Sequence, residues 1–201
     1  MPRLVGQIDT AKSEAILDAA SEVLGERGLS APMEEIARRA RVSKQTVYNH
    51  YGSKTELVRA LVERRVETIT APLREPGAVD RPEETLKAYA RTVLTVVTNR
   101  NYGLMRVTVQ SAGEMPDLAR EVFETGPKAS RHQLAVFLEA ETRAGRMNVP
   151  DPLQAAELYS GMVLGHRQTK ALLNLATDLE PDEIEALAAE CAYRFMRAYA
   201  P

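Results

Sequence analysis

A single cysteine, Cys191, stands in the 201 residues, so the chain cannot staple itself with an internal disulfide. That suits a reducing compartment, and the cytoplasm is the expected location. Charged residues interrupt every apolar run well before the ~18 residues that a transmembrane helix needs, so no membrane partner is expected. The amino-terminal stretch has no apolar core followed by a cleavage-like site, and no secretory signal is expected. Enzyme signatures are missing too. There is no phosphate-cradling glycine loop, no glycine-flanked nucleophilic serine, no HExxH and no paired-cysteine metal spacing. The three histidines, His50, His132 and His166, lie far apart, and a lone histidine is more often a core or surface group than a metal ligand. No metal, cofactor or catalysis is expected. Strand-like alternation, internal repeats and low-complexity segments are also absent. What remains is an all-helical chain of ordinary globular composition, 44% hydrophobic and 27% charged.

The most informative stretch is 33–51, MEEIARRARVSKQTVYNHY. Met33, Ile36, Ala37 and Ala40 recur at i, i+3, i+4, i+7 and mark one face of a short helix. Arg41-Val42-Ser43 breaks it, and Ser43 is placed to cap a second helix by accepting a hydrogen bond from its free N–H groups. That second helix, Lys44 to Tyr51, has only Val47 and Tyr51 as clearly apolar residues, too thin a stripe for a buried helix. Its remaining residues are Lys44, Gln45, Thr46, Tyr48, Asn49 and His50, which carry groups that bond to phosphates and base edges. From Ile36 to Thr55 there are five Lys/Arg (Arg38, Arg39, Arg41, Lys44, Lys54) and no acid, in a chain of net charge −2. Residues 1–60 carry +1 and residues 61–201 carry −3. Double-stranded DNA is therefore expected to meet the N-terminal third alone.

Residues 16 to 57 carry Ile16, Ala19-Ala20, Leu24, Gly28, Ile36-Ala37, Ala40, Val42-Ser43, Thr46-Val47-Tyr48, Tyr51, Lys54 and Leu57, and this set resembles the DNA-binding domain of the tetracycline-repressor (TetR) family. Residues from about 104 to 173 more loosely resemble the AefR-like C-terminal type of these regulators. Two positions depart from the pattern. Arg41 stands where the family usually has a turn glycine, a place that often needs left-handed backbone. Pro32 stands where a Ser or Thr usually caps the second helix, and is expected to start it at its first position instead. The resemblance implies a dimer built through the last two long helices and a C-terminal cavity for a small-molecule effector.

Spacing and caps predict about nine helices in an N-terminal three-helix unit and a C-terminal bundle. The expected divisions are 1–52 for DNA binding, a connecting helix 53–73 opened by a Ser53-x-x-Glu56 capping box, a linker at 74–81, and 82–200 for ligand binding and dimerisation. Residues 1–9 form an arm with Arg3. Further helices are expected from Thr10 to Arg27, from Pro82, over about 101–112, and from Pro116, with Gly126-Pro127 either kinking that last one or parting it from a helix over about 128–144. Two long apolar helices, 152–174 and 181–199, complete the chain. Ile184, Leu187, Ala188, Cys191, Ala192, Phe195, Met196 and Tyr199 stripe the last, and two such pairs are expected to form a four-helix interface. The alternative is that both stripes are spent inside the monomer.

Lys44, Gln45, Thr46 and Asn49 are expected to face base edges or nearby phosphates, with Tyr48, His50, Tyr51 and Lys54 setting the register on the DNA backbone. Lys54 is a cation in the first turn of its helix, where the dipole disfavours it, and a docked phosphate accounts for that placement. Candidate effector contacts are Tyr89, Tyr102, Met105, Arg106, Gln110, His132, Tyr159, Met162 and His166, polar and aromatic groups on otherwise apolar faces. The expected function is a ligand-responsive, dimeric repressor at a palindromic operator. The rivals are a constitutive DNA-binding protein without effector and an enzyme with an incidental helix-turn-helix.

Overall fold

Small polar residues and prolines set most helix boundaries in the computed structural model, which describes residues 10–98, 102–175 and 179–201. The helices are α1 (Thr10–Arg27), α2 (Met33–Arg39), α3 (Lys44–His50), α4 (Lys54–Thr70), α5 (Pro82–Thr98), α6 (Gly103–Ser111), α7 (Pro116–Phe123), α8 (Ala129–Arg143), α9 (Pro152–Leu164), α10 (Arg167–Leu172) and α11 (Pro181–Ala198). No strand occurs among the described residues, and the all-α expectation holds. The arm with Arg3 and the expected helix start at Asn101 lie outside the described residues. Ser43, Ser53 and Asp151 each accept the N–H of the residue three places on, which opens α3, α4 and α9. Pro32 is the N-cap of α2 rather than its first residue, with ψ of 146° and no side-chain cap.

Between α2 and α3 the chain turns on Arg41, whose φ is +56°. The Val42 N–H reaches the Ala37 carbonyl at 3.0 Å and the Arg41 N–H reaches that of Arg38 at 3.2 Å, the paired bonds of a Schellman ending. The left-handed position expected from the missing glycine is thus real and is occupied by arginine. A side chain there costs about 1 kcal/mol, offset by Val42 packing on the core beneath α2.

Two large apolar clusters and a small third one, of Val97, Tyr102 and Ala171, are formed by the described residues. One contains Ile16, Val23 and Leu24 of α1, Ile36 of α2, Val47 of α3 and Leu57, Leu61 and Val62 of α4, but also Leu104 and Val107 of α6 and Leu118 and Val122 of α7. The other joins α5, α8, α9 and α11 through Leu86, Leu94, Leu134, Leu138, Tyr159 and Phe195. The buried clusters therefore cut across the linear order, because α6 and α7 fold back under the N-terminal helices. Among the described residues, α4 alone contributes to both of these clusters, with Ile69 packed against the second.

Residues 74–81, expected as a linker, are ordered: two 3-10 turns at Ala71–Arg74 and Ala78–Asp80 bury Leu73 and Ala78, and the Thr85 hydroxyl donates to the Ala78 carbonyl at 2.9 Å. Three expectations need correction. Gly126-Pro127 neither ends a helix nor merely bends one. It sits in a π turn, Glu124–Lys128, that widens the helix where proline lacks an N–H and its ring would strike the carbonyl four residues back. The segment 152–174 is two helices, since Gly165 (φ +49°, ψ −136°) leaves helical space between α9 and α10. The α11 stripe is largely spent inside the monomer: Ala188, Cys191, Ala192 and Phe195 are buried in the second cluster.

The N-terminal unit and the remainder meet where α1 crosses α6. A Cβ on Gly103 would lie 2.8 Å from the Gly25 Cα, and backbone cannot swing aside. Gly103→Ala is expected to destabilise the protein by about 1–3 kcal/mol, read as a fall of roughly 2–12 °C in the calorimetric melting midpoint. An unchanged midpoint would show that the two helices do not touch this closely.

Candidate nucleic-acid interface and an apolar cavity

The helix α3 is fastened by few contacts. Val47 is fully buried, Tyr51 just past its end shares a 2.7 Å hydrogen bond with the Ser13 hydroxyl of α1, and the Ser43 hydroxyl meets that of Thr46 at 2.8 Å. This leaves Lys44, Gln45, Tyr48 and Asn49 exposed on one side, with Thr46, His50 and Tyr51 half-buried at its edge. Gln45 donates its amide N–H to the Asn49 side-chain carbonyl at 2.8 Å, and the Lys44 ammonium lies 5.7 Å from the Tyr48 ring centroid. The predicted reading residues thus share one continuous face.

The charge of this region is less naked than its composition. Arg39 pairs with Glu22 and Glu26 of α1 at 2.9 and 3.0 Å, Arg38 with Glu35 at 3.4 Å, and Lys44 with Glu34. Hydrogen bonding to Lys44 holds the Glu34 carboxyl below its ordinary range and raises the ammonium in turn. An acid-free run in sequence is therefore partly neutralised by acids from α1 and the start of α2. The Lys44–Glu34 pair is exposed on both sides and contributes little to stability.

Lys54 has a structural partner. Its ammonium donates to the Leu29 carbonyl at 2.9 Å, tying the start of α4 to the loop after α1. That bond offers an account of a cation in a first helical turn without any phosphate.

A second feature lies between the clusters. A cavity of about 100 Å³ is bounded by Val62, Arg65, Val66 and Ile69 of α4, Tyr89, Val93, Val96 and Val97 of α5, and Tyr102, Leu104 and Met105 at the start of α6. Val122, Gly126, Pro127, Ser130, Arg131, Ser160, Leu164 and Gln168 close it. The π turn matters here, because Gly126 approaches α4 so closely that a Cβ would sit 2.9 Å from a Val62 methyl. Three of the nine expected contacts line this space: Tyr89, Tyr102 and Met105. Tyr159 is in the core and donates to the Leu86 carbonyl at 2.9 Å; burial pushes its phenol up. Arg106 donates to the Asn174 side chain at 2.7 Å, while Gln110, His132, Met162 and His166 are exposed on outward faces.

Sequence reasoning missed Arg65, Gln168, Ser130 and Ser160. Arg65 carried a signal, since Val62, Arg65, Val66 and Ile69 recur at i, i+3, i+4, i+7 and place an arginine within an apolar stripe. Burial lowers the pKa of the Arg65 guanidinium, with the nearby Tyr102 opposing that shift. Burial raises the Tyr102 and Tyr89 phenols; hydrogen bonds with Gln168 and with Ser130, respectively, oppose it.

Because Lys54 ties α4 to the loop after α1, Lys54→Met is expected to destabilise the DNA-free protein by about 1–2 kcal/mol, measured by urea unfolding. Unchanged stability would leave this lysine with no structural duty.

Comparison with known proteins agrees with this arrangement. Residues 84–201 match the profile of the AefR-like transcriptional repressor, C-terminal domain, and residues 16–61 that of the bacterial regulatory proteins, tetR family. The HTH-type transcriptional activator FasR of Mycolicibacterium smegmatis is 46% identical over 61 residues, 30% of this chain but only 28% of its own length. A crystal structure of a TetR-family transcriptional regulator from Mesorhizobium loti MAFF303099 superposes with a TM-score of 0.77 at 26% identity, covering 97% of this chain and 100% of that one. The flavonoid-responsive regulator FrrA gives a TM-score of 0.69 at 31% identity, covering 96% and 98%. Among the described residues no helix is long and apolar enough to cross a membrane. With a matching C-terminal profile over more than half the chain, a matching N-terminal profile and full-length neighbours of the same fold, the chain belongs to the TetR family: it is a DNA-binding transcriptional regulator and not an enzyme.

Proposed function

We propose that the chain is a cytoplasmic, dimeric repressor that binds a roughly palindromic operator and is released by a small-molecule effector held in the cavity between α4 and α5. The observation that carries this reading is the double membership of α4. Its first half, Leu57 to Val62, is buried with the helices that present α3, and its second half, Arg65 to Ile69, walls the cavity. Beside the cavity, Arg64 bonds Glu14 and Asp18 of α1, both at 2.8 Å, so a tilt of α4 is felt by the N-terminal unit. An effector that favours one tilt changes the spacing of two reading heads, which must meet major grooves about 34 Å apart. The mechanism is a difference in affinity between two states. Lys44, Gln45, Thr46 and Asn49 contact base edges or adjacent phosphates, and Tyr48, His50, Tyr51 and Lys54 set the register. The C-terminal profile of a repressor and a 31%-identical relative that is flavonoid-responsive support control by an organic ligand.

Dimerisation is supported by α9. Leu153, Leu158 and Met162 are 60%, 55% and 40% exposed, and Gly161 beside Met162 leaves open space above the backbone. The outward faces of α9 and α11 of two chains pack as the four-helix interface, with Tyr193 contributed by α11.

In a gel shift on the DNA upstream of its own gene, Lys44→Ala combined with Tyr48→Ala is expected to weaken binding by at least about tenfold. Binding that survives this pair would move the reading face away from α3. Light scattering of Leu158→Glu with Met162→Arg is expected to show a folded monomer with operator affinity lost, and a dimer of undiminished stability would place the interface elsewhere.

A further inference from the structure

Two residues other than glycine hold a left-handed backbone among the described residues, Arg41 at φ +56° and Asn174 at φ +57°. Asparagine tolerates that conformation, and the Asn174 side chain is employed there, accepting a 2.7 Å hydrogen bond from Arg106. Neither holds for Arg41. A Cβ in left-handed backbone is crowded against the following carbonyl oxygen, and glycine avoids that crowding. Glycine would also keep what the turn is made of, since the bonds from the Arg41 and Val42 N–H groups are backbone and Val42 supplies the apolar contact. The arginine side chain adds nothing to the turn itself.

Its charge is left over as well. The other cations of this run are each held: Arg38 by Glu35 at 3.4 Å, Arg39 by Glu22 and Glu26, Lys44 by Glu34, and Lys54 by the Leu29 carbonyl. The Arg41 side chain is exposed and makes no hydrogen bond or ion pair with any described residue. Half-buried Val42 turns inward after it, and the exposed residues Ser43, Lys44 and Gln45 follow. Three residues of chain span at most ~10 Å, so the Arg41 backbone lies within that distance of Lys44. A helix lodged in a major groove about 12 Å wide has a phosphate strand on either side, and a long cation in the turn before that helix is within reach of one.

We propose that the Arg41 guanidinium bonds a backbone phosphate at the edge of the groove that α3 enters, and that arginine stands in this turn, against its conformational preference, for that contact. The proposal rests on α3 being the face that meets DNA and adds to it a residue outside that helix. A guanidinium suits the task, because it stays charged and presents forked donors to phosphate oxygens. Phosphate carries no sequence, so Arg41 strengthens binding to any duplex and leaves the choice of operator to α3.

Fluorescence anisotropy of the full-length protein tests this on the duplex upstream of its own gene and on an unrelated duplex of equal length, between about 50 and 200 mM salt. Arg41→Gly is expected to weaken binding to both duplexes by a similar factor, about eightfold for each head near 0.1 M salt, and to lessen the slope of log K against log salt by about 0.9 for each head. Its urea midpoint is expected to equal or exceed that of the native protein, because the left-handed strain is relieved. Arg41→Lys, which keeps the charge, is expected to retain the native slope. Unchanged binding and slope in Arg41→Gly overturn the proposal, and so does a lysine variant as weak as the glycine one. A loss confined to the upstream duplex overturns it too, since that marks a base contact, and a fallen urea midpoint would give the arginine a duty in the fold instead. Lys44→Ala combined with Tyr48→Ala separates the two levels. If that pair weakens binding and Arg41→Gly does not, the α3 face stands and only Arg41 falls. If the pair binds as the native protein does, the α3 face falls and the groove-edge contact with it.

Discussion

One helix cannot move without consequence for both halves of this molecule. The apolar residues of α4 are divided between two environments: Leu57, Val58, Leu61 and Val62 are buried beneath the helices that present α3, and the half-buried Val66 and Ile69 look into a cavity and the second cluster. A close-packed helix responds to a change at one end as a rigid rod, because its side chains have no slack to absorb a shift. Arg64 and Arg65 express the same division in neighbouring residues, the first bonded to α1 and the second set in the cavity wall.

Helix α3 illustrates the opposite design. Its anchorage amounts to Val47, the capping hydroxyl of Ser43 and the Tyr51 to Ser13 bond, so most of its surface stays free for a partner. Its cations are held meanwhile by acids of adjacent helices, with Glu34, Glu22 and Glu26 compensating Lys44 and Arg39. Such exposed pairs contribute little to stability. They also keep the N-terminal unit from presenting an unbalanced field to every polyanion it meets.

Local signals in the sequence carried far where a helix depended on its own residues. The break at Arg41, the caps at Ser43 and Ser53, the thin stripe of α3 and the helix-opening prolines at 116, 152 and 181 are decided within a few residues, and each was legible. Prediction weakened where long-range packing intervened. Residues 74–81 read as a linker because proline and glycine cluster there, yet Ala78 within them and Leu73 just before are drawn into the second cluster. The cavity was the least legible, since a stripe of mixed polar and apolar residues shows only that a face is covered. Tyr159 and Met162 had equal claims on paper, but one packs into the core and the other faces outward.

By itself, then, the order of residues determined the helices, their caps and the exposed character of the reading face, because hydrogen bonds and periodicity act over three or four positions. It determined as well that an arginine would sit in the apolar stripe of α4, although nothing local says what that stripe borders. The tertiary structure alone decided that α6 and α7 share a core with the N-terminal helices, that a π turn brings Gly126 against Val62, and that Arg65, Tyr102 and Gln168 converge. Those residues are separated by tens of positions along the chain. What joins them is the mutual exclusion of water by helices packed at van der Waals contact, and a one-dimensional pattern holds no record of that.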